Sequence, residues 1–236
     1  MQRMLIVPVL AAMLFAAACG GDDGPTSAST TANVRFFNAT TGMTGGGGFT
    51  TNGEFATGSA LALGQSTQTC SSVNAGATSF GFGAPNTSRT GLSGNALATL
   101  ANQSITAGGN FTVVSTGSAT NPTLFLLDNT FTGTLGTNQA AVRFVNLAPG
   151  TANTFNTFIG TLGNGGTLAA TNIAVGAPTA FSTVTSGSNT FTILNGHDIV
   201  VSGSAATLNL RGGTVNTLAI VPNTSGGFQL INLPRC

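Results

Sequence analysis

Ile105-Thr106-Ala107-Gly108-Gly109-Asn110-Phe111-Thr112-Val113-Val114-Ser115-Thr116-Gly117, followed by Leu124-Phe125-Leu126-Leu127-Asp128-Asn129, holds the fold signal of this chain in its clearest form. A glycine-marked turn opens a run rich in Val, Thr and Phe, a Gly closes it, and the second run is equally short and ends on Asp-Asn. Runs too short for a helix and bounded by turn residues read as β-strands. The pattern recurs at residues 155–162, 199–202 and 207–210, and nothing after residue 19 sustains helical spacing. Many short strands separated by turn signals point to sandwiches or barrels.

Working outward, the chain repeats itself. Val34-Arg35-Phe36-Phe37-Asn38 is answered by Val142-Arg143-Phe144-Val145-Asn146, an offset of 108. Gly83-Ala84-Pro85 pairs with Gly176-Ala177-Pro178, and 124–130 (LFLLDNT) with 218–224 (LAIVPNT), at offsets of 93 and 94. The drop from 108 to 93 predicts about 15 extra residues in the first copy, at about 42–76, where Gly45 to Gly48 and Cys70 lack counterparts. A period this long argues against a solenoid, whose units run roughly 20–30 residues. Residues 228–234 (FQLINLP) echo the opening strand and read as a closing one. The expectation is therefore an all-β chain of two tandem immunoglobulin-like antiparallel β-sandwiches, at 33–140 and 141–236.

The stretch from Ile105 to Gly117 with 124–129 resembles a bacterial domain-of-unknown-function family, number 4397. So do VRFVNLAPG at 142–150 as a first strand and 155–159 as a second. That resemblance, over most of 33–225, implies tandem β-sandwiches of secreted and cell-surface proteins, often lipoproteins, and implies no activity. Asn38 and Asn146 stand where the family often has His, and Phe111 and Phe181 where it has Tyr.

Composition narrows the functions. Disorder goes with low hydrophobicity and high net charge, whereas 41% of these residues are hydrophobic, 16 are Phe and only 5% are charged. Six arginines scattered along a chain of net charge +1 form no basic stripe, so nucleic acid is not an expected partner. Arg3, the apolar run 4–18 and Ala16-Ala17-Ala18 before Cys19 resemble a bacterial lipoprotein signal peptide. The resemblance implies removal of 1–18, lipidation of Cys19 and a flexible tether over 19–32. Gly20 after the cysteine resembles outer-membrane sorting. A lipid-anchored envelope protein is the expectation, with the membrane as one partner and an unidentified protein or glycan as another.

A search for chemistry returns little. The acids are Asp22, Asp23, Glu54, Asp128 and Asp198, and the one histidine is His197. Asp22 and Asp23 fall in the tether; Glu54, Asp128 and Asp198 could form a hydrolytic carboxylate pair by spacing alone, but Asp128 and Asp198 sit at turn positions. His197 and Asp198 are neighbours, which in a strand point to opposite faces and suit no relay. No ligand spacing for zinc or calcium occurs, so no catalytic residue, metal or cofactor is expected. The tetraglycine at 45–48 lacks a phosphate-loop context and reads as a flexible loop. Arg35 and Arg143 recur at equivalent places although Arg is scarce, which suggests a paired functional role or, as the favoured reading, outward strand residues that keep a sheet soluble, and the phenylalanines read as core. Cys70 and Cys236 remain once Cys19 is lipidated, an even count that in an exported protein suggests a disulfide, with two free thiols as the alternative. Three functions stay open: a non-enzymatic display, adhesion or structural module, a loop-borne binder of ligand or glycan at the first copy's insertion, and, less favoured, an envelope hydrolase.

Overall fold

The computed structural model describes residues 29–148, 154–160, 166–195 and 205–236. Cys19, the signal segment, the tether up to residue 28, His197, Asp198 and the strand expected at 199–202 lie outside them, whereas Thr31 and Ala32, expected at the end of the tether, already pair in the first strand and Ala32 is buried. The described residues form strands and no helix. In the first half these are β1 (Thr31–Asn38), β2 (Gly48–Thr51), β3 (Glu54–Phe55), β4 (Gln65–Ser66), β5 (Ser71–Asn74), β6 (Gly76–Gly83), β7 (Ala98–Ile105), β8 (Asn110–Ser118) and β9 (Asn121–Asp128). The second half has β10 (Gln139–Asn146), β11 (Phe155–Ile159), β12 (Thr167–Ile173), β13 (Ser182–Thr185), β14 (Gly187–Asn195), β15 (Ala206–Leu210), β16 (Val215–Pro222) and β17 (Phe228–Leu233).

Four sheets result. In the first half β1 sits between β4/β5 and β8, with β9 beyond, while β3-β2-β6-β7 make the facing sheet. The second half repeats this as β13-β10-β16-β17 and β12-β11-β14-β15. Pairing is antiparallel except that each opening strand runs parallel to its neighbour, β1 to β8 and β10 to β16. The all-β sandwich is as expected. The strand order is not that of an immunoglobulin domain, whose first two strands share one sheet; here β1 and β2 lie in opposite sheets.

Alternation of side chains puts one residue set into each sandwich. Val34, Phe36, Phe49, Phe80, Phe82 and Val113 fill the first core, where the Phe36, Phe49 and Phe82 rings stack with centroids 5.1 and 4.9 Å apart. Val142, Phe144, Phe155, Phe191, Ile193 and Leu218 fill the second. On the two opening sheets much of the other set is buried as well. Phe37, Ala39, Val114 and Leu127 from β1, β8, β9 and the β1 end pack with Val145, Leu147, Ala219, Val221 and Leu233 in a third core. The two opening sheets are thus back to back, and β10 and β16 are buried on both faces along almost their whole length. Strands covered on both sides carry continuous rather than alternating hydrophobicity.

Several expectations are corrected. Residues 42–76 are no insertion, because they supply β2 through β5, and Phe49 within them is fully buried. Nor is the tetraglycine a free loop: a Cβ on Gly47 would lie 2.2 Å from the Phe82 ring, and one on Gly48 2.6 Å from Phe55. Glycine is required where these rings cross the strand. The 93-residue offset joined non-equivalent segments. Gly83-Ala84-Pro85 starts on the last residue of β6, whereas Gly176-Ala177-Pro178 follows β12, and the counterpart of β9, which pairs with β8, is β17, which pairs with β16. The structural counterpart of Gly176 is Gly64: each donates its N–H to the carbonyl of the opening-strand asparagine, Asn146 or Asn38. Likewise Thr179 and Thr67 both bracket the matching phenylalanine, Phe144 or Phe36. The final strand β17 is an edge next to β16, not a third opening strand. The change of sheets falls between β9 and β10, ahead of the expected cut at 140.

Candidate functional site

Two places hold polar chemistry. The first begins at a hairpin. Asn52 and Gly53, at φ 49° and 87°, turn β2 back into β3, the pairing that Asn-Gly favours because both central residues need positive φ. This hairpin stands apart from β5, and between them lies an open cleft of about 470 Å³ lined by Thr51, Asn52, Glu54, Phe55, Ser71 and Asn74 among others. A second cleft of about 530 Å³, lined by Thr57, Ser59, Gln65, Ser66, Thr67 and Gln68 among others, shares Ala56 and Ser71 with it. Together they make one trough of hydroxyls and amides. Thr51 Oγ1 is buried there without a hydrogen-bond partner. Glu54 is its one charged lining residue, so the trough can exchange hydrogen bonds with a neutral polar ligand but contains no acid–base pair.

The second place is the junction of the sandwiches. Arg143, 6% exposed, donates from Nε to Thr217 Oγ1 at 3.0 Å and from Nη2 to Asn129 Oδ1 at 2.8 Å, with its guanidinium 4.6 Å from the Phe181 ring centre. Asn129 in turn donates from Nδ2 to Thr112 Oγ1 at 2.9 Å, and its carbonyl accepts from Arg235 at 3.0 Å. Burial lowers the Arg143 pKa to about 10, with Asp128 opposing and Arg235 reinforcing the shift. Burial also lowers Arg235. Thr116 Oγ1 donates across the junction to the Leu147 carbonyl. The outward, solubilising role expected for the arginines is therefore wrong, because the opposite sandwich covers the face on which they stand.

Arg35 holds the matching place on β1. It donates to the Thr67 carbonyl at 3.0 Å and, from Nη2, to Cys70 Sγ at 3.2 Å. Cys70 is bonded to Cys236 with Cα atoms 5.8 Å apart, across 166 residues of sequence. The bond joins the segment between β4 and β5 to the chain beyond β17, and so ties the two sandwiches. Their expected pairing is present in the structure.

Among the expected acids, Glu54 is exposed in the β2–β3 hairpin and Asp128 ends β9, where its carboxylate accepts from Thr130 N at 2.8 Å. They stand on different sheets. Among the described residues no group of three or more His, Cys, Asp or Glu could hold a metal, and no helix is long and apolar enough to cross a membrane. Sequence reasoning missed the Asn52-Gly53 hairpin, although it is flanked by Phe49 and Phe55, and missed Asn129, whose role depends on a residue from the other sandwich. No protein-family model matches the chain, and no curated protein is similar to it.

Proposed function

We propose that the chain is a non-enzymatic, lipid-anchored module of the cell envelope, which displays two fused β-sandwiches at an outer membrane or cell surface. The observation that carries this reading is the Cys70–Cys236 bond between the sandwiches, since disulfides persist in oxidising, exported compartments. The lipoprotein-like segment ending at Cys19 and the resemblance to family 4397 support the same location. The described carboxylates, both exposed and on separate sheets, supply no catalytic pair. The test is mass spectrometry of the mature N-terminus with fractionation of Cys19→Ala. Acylated Cys19 and release of the variant into the soluble fraction are expected, and an intact 1–18 segment on the mature protein would sink the reading.

A second reading is favoured by the trough alone. Its walls of hydroxyls and amides, with Glu54 the one charged group, and its single aromatic, Phe55, suit an uncharged oligosaccharide. Saturable binding of a neutral glycan that disappears in Asn52→Ala would support it, and an unchanged isotherm would remove it.

A further inference from the structure

The disulfide is placed where it can be addressed chemically. Cys236 is exposed, and the residues flanking Cys70, Thr69 and Ser71, line the open trough. On the other side of Cys70 stands Arg35, its Nη2 3.2 Å from the sulfur. Arg35 Nε is buried with no partner, so this guanidinium is not already neutralised by a carboxylate. Arg235 is the chain neighbour of Cys236, Asp128 accepts from Thr130 N, and Glu54, exposed on the β2–β3 hairpin, is the one acidic side chain lining the trough. In the second sandwich the matching arginine, Arg143, rests on Phe181 instead. The sulfur–guanidinium contact belongs to the first sandwich only.

We propose that Cys70–Cys236 is a thiol-exchange site, at which a small-molecule or protein thiolate attacks the exposed Cys236 sulfur and Cys70 leaves as a thiolate held by Arg35. The new bond joins the incoming sulfur to Cys236, and the old S–S bond breaks with its electron pair on Cys70. A second thiolate of the same class then releases Cys236, so two electrons pass from two thiols to the protein disulfide. The direction follows from the environment: a sulfur beside a fixed positive charge is the better leaving group, and stabilising the reduced form makes the bond easier to reduce. Opening removes the covalent tie and leaves the chain beyond β17 held to the first sandwich by the Arg235 contact to the Asn129 carbonyl.

The test uses the full chain in glutathione redox buffers, with trapped thiols located by peptide mapping. The mixed disulfide is expected on Cys236, and Arg35→Gln should make the protein bond at least tenfold harder to reduce. In Cys236→Ser, where Cys70 is free, the alkylation rate of Cys70 should titrate well below the ordinary thiol value of about 8.5. The Arg35→Gln change in that background should restore the ordinary profile. Glutathione on Cys70, a bond that resists every buffer, or a Cys70 profile at the ordinary value in Cys236→Ser would each overturn the proposal. The last of these needs no substitution of Arg35, and so stands even where that variant fails to fold.

Discussion

Phe37 decides whether the third core is a true core. In an isolated sandwich this side chain would project from the outer face of β1, and its removal would cost little, because surface substitutions fall within about 0.5 kcal/mol. Here it is 1% exposed, among Leu127, Val145 and Leu233 from both sandwiches. A buried phenylalanine covers roughly 200 Å². At about 25 cal/mol per Å² that area is worth at most about 5 kcal/mol. Phe37→Ala, which keeps only the β-carbon, should therefore cost about 3–4 kcal/mol, in the usual range for Phe-to-Ala in a core. Phe36→Ala, one residue earlier and pointing into the first sandwich, is the internal standard. Urea unfolding followed by far-ultraviolet dichroism gives both; with a slope of about 3 kcal/mol per molar, the midpoint should fall by about 1 M in each. A Phe37→Ala midpoint within 0.2 M of the parent, beside a large Phe36→Ala shift, would refute the back-to-back packing.

Two further outcomes follow from single contacts. Gly64 and Gly176 occupy matching turns at φ 79° and 75°, but a Cβ on Gly176 would lie 2.1 Å from the Phe125 ring of the other sandwich, whereas at Gly64 only Ile231 comes near, at 3.7 Å. Both alanine variants bear the strain of a left-handed residue, about 1–2 kcal/mol, and Gly176→Ala should cost a further ~1–3 kcal/mol for overpacking; equal melting shifts would count against the contact. The alkaline limb of stability reports Arg143, because the chain has no Tyr and no Lys to titrate there. Burial holds its folded pKa, about 10, below the ordinary guanidinium range, so above pH 10 the unfolded chain holds more protons and stability should rise with pH. Arg143→Met should flatten that rise, leaving the smaller share of Arg235, and an unchanged slope would argue against a buried cation.

Much of the architecture was legible because it depends on local signals. Glycine-bounded Val/Thr/Phe runs located β8, β9, β11 and β15, and the repeat of Val-Arg-Phe located β1 and β10 in equivalent positions. What failed was whatever depends on the space between the sheets. The tetraglycine looked like a loop since nothing local reveals the Phe82 and Phe55 rings that exclude side chains from Gly47 and Gly48. The true partner of Val175-Gly176-Ala177-Pro178-Thr179 is Leu63-Gly64-Gln65-Ser66-Thr67, where only Gly and Thr coincide, so the stronger Gly-Ala-Pro match to 83–85 misled the alignment. Asn38 and Asn146 were noted only as departures from the family pattern. Each is fully buried and caps the end of its strand, taking a backbone N–H on Oδ1 and giving its amide to the carbonyl of Leu61 or Ile173. Phe37 is core as expected, but the arginines, which share its face of the opening strand, are not outward. Alternation along one strand tells which residues share a face, but not whether that face meets water or another sheet.

The inward arginines leave the outer sheets with few charges to discourage pairing between copies. With a net charge of +1, repulsion between copies is weak, and the edges of the outer sheets lack the lysines that usually discourage strand pairing. Their protection is conformational. The register slips between Thr78 and Phe80 where β6 meets the edge strand β7, and twice between Phe155 and Phe158 where β11 meets the edge strand β12. On those edges Asn102 and Asn172 each take a left-handed conformation, φ 52°, and turn the backbone N–H to a side chain, Ser79 Oγ or Asn156 Oδ1. The opposite edge of the first outer sheet, β3, is two residues long. Bulges and short edges of this kind break the straight row of donors and acceptors that a second chain would need. Three of the four outer-sheet edges are interrupted in this way, while β15 (Ala206–Leu210) pairs with β14 in unbroken register and is the regular one. Arg89 and Arg211 stay exposed, while Arg143 and Arg235 meet at Asn129 in the junction and Arg35 holds the Cys70 side of the disulfide that ties the sandwiches.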